Sequence, residues 1–150
     1  MNTKSTTVGD IVLGRPVFSV KGQDSVLAAA RHMTEHQIGA VPVLDDAGHL
    51  LGIFSERDLM TRVVAQQLDL ASTQVSEVMT KRVAVLGEES TYREALAIMD
   101  ALHIRHLPVM VQDRVAGCIS LRDLHQADID AKDREIEFLD DYIERVERAL

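Results

Sequence analysis

Two stretches of the chain carry side chains able to hold an anion and a hydroxylated ligand at one place. They are Ser55, Arg57 and Asp58 in Gly52-Ile53-Phe54-Ser55-Glu56-Arg57-Asp58-Leu59, and Ser120, Arg122 and Asp123 in Gly117-Cys118-Ile119-Ser120-Leu121-Arg122-Asp123-Leu124. A Ser followed three residues later by Asp makes a capping box: the hydroxyl accepts from the first helical turn, and the carboxylate reaches back to the Ser backbone N–H. Capping accounts for Ser and Asp but not for Arg57 and Arg122, because a cation is disfavoured by the helix dipole at a helix start. A bound phosphate would account for them. The unpaired N–H groups and partial positive charge of a helix N-terminus favour an anion there, with the Ser hydroxyl and the Arg beside it.

These two junctions must be positioned by similar elements, because the similarity around them is extensive. Ala29, Met33 and Ile38 align with Ala95, Met99 and Ile104, and Val41-Pro42-Val43 aligns with Leu107-Pro108-Val109. Val8 to Val12 aligns with Val75 to Met79, with a one-residue length change between blocks. The chain therefore reads as two repeats, residues 8–68 and 75–124, followed by a tail, 125–150.

Each repeat opens with a short apolar run, Val17 to Val20 or Val83 to Leu86, expected as a strand. Helix N-caps follow at Asp24-Ser25 and Ser90-Thr91. Amphipathic helices are then expected with apolar spacing Val26, Ala30, Met33 and Ala95, Met99, Leu102. Two strands come next, Ala40 to Leu44 and Leu51 to Phe54, across the turn Asp45-Asp46-Ala47-Gly48. In the second repeat they are His106 to Val111 and Val115 to Ile119, across Gln112-Asp113-Arg114. A last helix begins at each Ser-x-Arg-Asp. The unit is β-α-β-β-α, and a three-stranded sheet cannot cover both its faces alone, so the two units are expected to pack sheet to sheet.

The order of these elements, the apolar-Pro-Val strand and the Gly-x-x-Ser-x-x-Asp junction, present twice over residues 8–125, resemble a tandem pair of CBS domains, named after cystathionine β-synthase. The resemblance implies an α/β (α+β) fold of two repeats with pseudo-two-fold symmetry. It implies a regulatory module, not an enzyme, binding an adenine nucleotide (AMP, ATP, ADP or NAD) or S-adenosylmethionine in clefts between the repeats. In that family the Asp of the junction holds the ribose hydroxyls. Arg105 and His106, ahead of Pro108, are similar to a basic pair that touches phosphate in some nucleotide-sensing members. Gly39 and Ala40 stand at the matching place in the first repeat and leave room for adenine or a bulkier adenosyl group. The first repeat is accordingly expected to grip phosphate less well.

Other chemistry is thin. His32 and His36 are spaced i,i+4 and His103 and His106 lie three apart, but no third ligand of matching spacing is apparent, so these are expected as exposed histidines with no metal. Cys118 reads as a small buried apolar side chain. No phosphate-binding Gly-x-x-x-x-Gly-Lys loop, Gly-x-Ser-x-Gly elbow or Cys-x-x-Cys occurs. The formal net charge is −8, and 9 acids against 4 bases fall in the last 25 residues, which opposes general nucleic-acid binding. With neither an apolar leader in the first ten residues nor a span of ~20 apolar residues, a cytoplasmic protein without membrane contact is expected.

The tail places Ile129, Ile136, Ile143 and Leu150 every seven residues, with Leu139 and Val146 between them and one lapse at Lys132. That pattern predicts a helical extension, either coiled-coil-like or laid on its own domain. With the flat dimers common among CBS pairs, it makes a homodimer the expected assembly, reporting ligand state to an unidentified protein target. The alternative is a module that only builds an interface and has no physiological nucleotide.

Overall fold

A computed structural model describes residues 5–150. The elements run α1 Val8–Val12, β1 Val20–Lys21, α2 Val26–Glu35, β2 Ala40–Leu44, β3 Leu50–Ser55 and α3 Glu56–Asp58 in the first half. After a π-helical turn over Leu59–Val64 come α4 Val75–Val78, β4 Leu86–Gly87, α5 Tyr92–Leu102, β5 His106–Val111, β6 Arg114–Ser120 and α6 Leu121–Ala149. Two three-stranded sheets result, β1-β2-β3 and β4-β5-β6, each with its first pair parallel and its second antiparallel. The mixed α/β architecture of two like repeats is as the pattern predicts. The β2–β3 turn at Asp45–Gly48 and the tight β5–β6 turn, with Gln112 at φ 48° and Asp113 at φ 62°, also fall where expected.

The differences are local. Only Val20–Lys21 and Leu86–Gly87 are strand at the openings of the two repeats. The residues before them approach the sheet as irregular chain, which frees Phe18 and Val83 to face clefts. On α2 the buried stripe is Val26, Ala29 and Met33, and on α5 it is Tyr92, Ala95 and Met99, so Ala30 is only partly buried and Leu102 is exposed.

The cores are completed crosswise. Val8 and Val12 of α1 pack with Leu86, Tyr92, Met99, Leu107, Ile119 and Leu124 of the second repeat. Val75, Val78 and Met79 at α4 pack with Val26, Met33, Val41, Val43 and Phe54 of the first. Backbone bonds fix the exchange: Val8 N donates to Ser90 O and Gly9 N to Glu88 O, while Val75 N donates to Asp24 O and Ser76 N to Gly22 O. This crossing explains the glycine that heads each repeated octet. A Cβ on Gly52 would lie 2.6 Å from Thr80 O, and one on Gly117 would lie 3.0 Å from Val12 Cβ. Polar ties join the repeats at their edges, from Arg57 Nη1 to His103 O at 3.0 Å and from Arg114 Nη1 to Ala47 O at 2.8 Å.

The two last helices differ most. The first turns π-helical after three residues, with Ala65 N donating to Met60 O. The second runs 29 residues, keeps contact with the core through Leu124, Ala127 and Ala131, then leaves Ile136, Phe138, Leu139, Tyr142, Ile143 and Val146 exposed. Among the described residues no helix is long and apolar enough to cross a membrane.

Candidate functional site

Both junctions form the capping box read from the sequence. Ser55 Oγ accepts from Asp58 N at 3.2 Å and Asp58 Oδ2 accepts from Ser55 N at 3.0 Å. The second copy matches, at 3.1 Å from Asp123 N to Ser120 Oγ and 2.9 Å from Ser120 N to Asp123 Oδ2. The first turns also donate elsewhere, Glu56 N to Gly39 O and Leu121 N to Arg105 O. Much of the N-terminal donor capacity is thus taken by the fold, so an anion here depends more on arginine side chains than on a bare helix start.

The two aspartates are not equivalent. Asp58 is buried, and its oxygens are saturated. Oδ2 also accepts from Ser55 Oγ at 3.0 Å, while Oδ1 accepts from Thr80 Oγ1 at 3.0 Å and lies 3.5 Å from Arg62 Nε. Asp123 is more open, at 23% side-chain exposure, and beyond its cap it has one ion pair, Oδ1 to Arg15 Nη1 at 3.0 Å. Arg15 is itself 47% exposed, so that partner can swing into solvent at little cost.

Asp123 faces a cleft of about 960 Å³ between the repeats. Phe18, Ala30, Met33 and Ile38 give it an apolar wall, Gly39 and Ala40 a small-residue edge, and Arg15, Arg105, His106, Ser120 and Arg122 its polar side. Gly39 is a close approach: a Cβ there would lie 3.1 Å from both Glu56 Oε2 and His106 Cε1. A second cleft of about 400 Å³ is lined by Ser55, Arg57, Asp58, Thr80, Arg82 and Val83, together with Ile104, Arg105 and His106. Each cleft thus draws its junction from one repeat and its approach segment from the other. Gly39, Arg105 and His106 line both clefts, whereas Ala40 lines only the one at Asp123. Arg57, Arg82 and Arg105 all border the cleft at Asp58. Arg57, however, already donates to His103 O and so has a structural role that local sequence did not reveal.

Burial pushes the His106 imidazole below its ordinary pKa of 6.5; Glu56 and Asp123 pull it up and Arg105 pushes it further down. The Cys118 thiol, lining the larger cleft, is pushed up to about 12 by burial first and by Asp123, so it offers no nucleophilic thiolate. His32 and His36 are not the exposed histidines expected. Both are half-buried against Phe18, whose ring stacks on His36 at 3.9 Å and meets His32 edge-on at 5.9 Å. Arg15, Phe18, Glu56, Thr80 and Arg82 are among the cleft residues that local sequence did not point to.

Comparison with known proteins agrees with this architecture. The family model of the CBS domain matches residues 8–65 and again 75–130. A CBS domain-containing protein of Bacillus subtilis, YhcV, is 33% identical over 108 residues, covering 72% of this chain and 76% of that protein. The crystal structure of a CBS-domain containing protein from Agrobacterium tumefaciens is 38% identical with a TM-score of 0.77, covering 85% of this chain and 96% of that one. The CBS domain pair of the protein MJ0100, solved in complex with 5′-methylthioadenosine and S-adenosyl-L-methionine, is 27% identical with a TM-score of 0.73, covering 81% and 94%.

Proposed function

Because the chain belongs to the CBS-domain family, as a tandem pair, we propose that it is a regulatory sensor that binds an adenosyl ligand (AMP, ATP, ADP, NAD or S-adenosylmethionine) in the cleft at Asp123. The observation that carries this reading is the state of that carboxylate. It is held by its cap in a half-buried position, faces a cleft with one apolar side and one polar side that carries three arginines and Glu56, and has an exchangeable arginine as its remaining partner. Ribose hydroxyls donating to Asp123 would replace Arg15. The adenine would lie against Phe18, Met33 and Ile38, and phosphate, where present, would meet Arg105, Arg122 or the released Arg15. The adenosyl compounds in the MJ0100 pair support this ligand class.

Ligand spanning Asp123 of one repeat and Phe18 to Ala40 of the other favours whichever relative placement of the repeats closes the cleft. The output is a population shift that a homodimer presents to a protein target. The module regulates and does not catalyse. Calorimetry with AMP, ATP, NAD, S-adenosylmethionine and adenosine tests this reading. One of them should bind and, at ~100 Kd, stabilise the fold by about 2.7 kcal/mol; Asp123→Ala should weaken it at least tenfold, and Arg105→Ala should weaken AMP more than adenosine. Absence of binding by all five overturns it. That outcome selects the second reading, an association module without a nucleotide, which the exposed apolar face of α6 favours.

A further inference from the structure

We propose that the carboxyl end of α2 is a site for a divalent transition-metal ion, zinc by its donor set, built from His32, Glu35 and His36. The three stand at i, i+3 and i+4, which puts them on one face of the helix. One ring nitrogen of each histidine and one carboxylate oxygen of Glu35 all lie within 4.8 Å of one another. A tetrahedral zinc at its usual bond lengths holds its donors about 3.4 Å apart, so binding draws the three donors together by up to about 1.4 Å. Two imidazoles and one carboxylate are a borderline set that suits zinc, and three protein donors leave a fourth position for water. Glu35, placed between the histidines, is the third donor that the i,i+4 spacing argument overlooked.

Two further observations separate this cluster from ordinary surface histidines. His32 Nε2 is buried and has no hydrogen-bond partner among the described residues. An imidazole nitrogen already stripped of water and unpaired is costly to leave so, which sets this ring apart from a solvated surface histidine. The rings are also held in place. Phe18 backs both of them, and the two imidazole centroids are 4.7 Å apart at 76°, so little side-chain freedom remains to be lost on coordination. The position is electrostatically apt as well, since the carboxyl end of a helix attracts cations. The site stands independently of whether the neighbouring cleft takes an adenosyl ligand.

The test is calorimetric titration of the untagged, chelator-stripped full chain with Zn(II). One ion should bind per chain. His36→Ala and Glu35→Gln should each weaken it by about tenfold or more, whereas His49→Ala, at an exposed turn, should leave it unchanged. His32→Ala removes a half-buried ring and bears on folding as well. Glu35 is exposed, so Glu35→Gln carries the decision on a fold checked by its unchanged circular dichroism. Failure to saturate at one equivalent, wild-type affinity in Glu35→Gln or in His36→Ala, or an equal loss in His49→Ala overturns the site.

Discussion

Arg15 Nη1 stands 3.0 Å from Asp123 Oδ1, so the carboxylate aimed into the larger cleft is met by an arginine from the opposite repeat. The pair acts as a latch. With Arg15 half exposed beside a half-buried carboxylate, the pair is worth little in stability, on the order of 0.2 to 1 kcal/mol, yet it occupies the atom that a ribose would use.

Removing the latch should therefore help a ligand that has no phosphate. Arg15→Ala is expected to tighten adenosine by up to about fivefold, the affinity equivalent of an exposed ion pair. It should tighten AMP less, because the released guanidinium can meet the phosphate. A calorimetric comparison of the two ligands checks this; equal tightening of both would show that Arg15 never reaches phosphate.

The two aspartates should separate stability from binding. Asp58→Ala strips acceptors from Ser55 N–H, Ser55 O–H and Thr80 O–H and removes the carboxylate beside Arg62, which keeps its bond to Met79 O. A loss of about 2 to 3 kcal/mol in denaturant unfolding is expected. Asp123→Ala removes a cap and one exposed ion pair and should cost about 1 kcal/mol. Larger destabilisation in Asp123→Ala than in Asp58→Ala would contradict the saturated and open states assigned to them.

His106 gives the fold a pH dependence with a definite sign. Its folded pKa lies below the ordinary 6.5, chiefly through burial, so the unfolded chain takes up the proton first as pH falls. Its contribution is complete above about 6.5 and is lost on acidification below that value. Between pH of about 7.5 and 5.5 the wild type should lose more Tm than His106→Gln. Parallel curves would show that the ring is not neutralised by burial.

The exposed stripe of α6 is flanked by Asp133, Glu135, Asp140 and Glu147, so two copies meeting there bring like charges together. A homodimer through this helix should tighten as salt rises from about 0.05 to 0.5 M, as screening shortens. It should also weaken when the chain ends after Arg134, a cut that leaves Leu124, Ala127 and Ala131 on the core. Sedimentation showing the same dimer constant for the shortened chain would place the interface elsewhere.

The alternation and spacing around Pro42 and Pro108 made β2 and β5 legible, and the Ser-x-x-Asp boxes marked both last helices, because those signals are local. What the sequence did not disclose depends on crossing between repeats. Nothing near Arg57 points to His103 O, and nothing near Arg15 points to Asp123, since each contact is set by how one repeat lies on the other. Phe18 was hidden in an apolar run that looked like strand, whereas only Val20 and Lys21 pair with β2. The π turn after Asp58 likewise has no counterpart in a motif that its partner copy uses to start 29 helical residues.

The exchange that presses Val12 onto Gly117 and Thr80 onto Gly52 has a consequence for what counts as a folding unit. Cutting the chain between residues 66 and 74 would give each fragment a leading helix that fits the other fragment's core. A molecule holding one repeat could complete itself only by trading that helix with a second molecule, and its folding would then rise and fall with concentration. Joining the repeats in tandem turns that trade into an intramolecular event with equal stoichiometry built in. The tandem chain can thus remain folded when it is scarce, where a trading pair of single repeats would come apart.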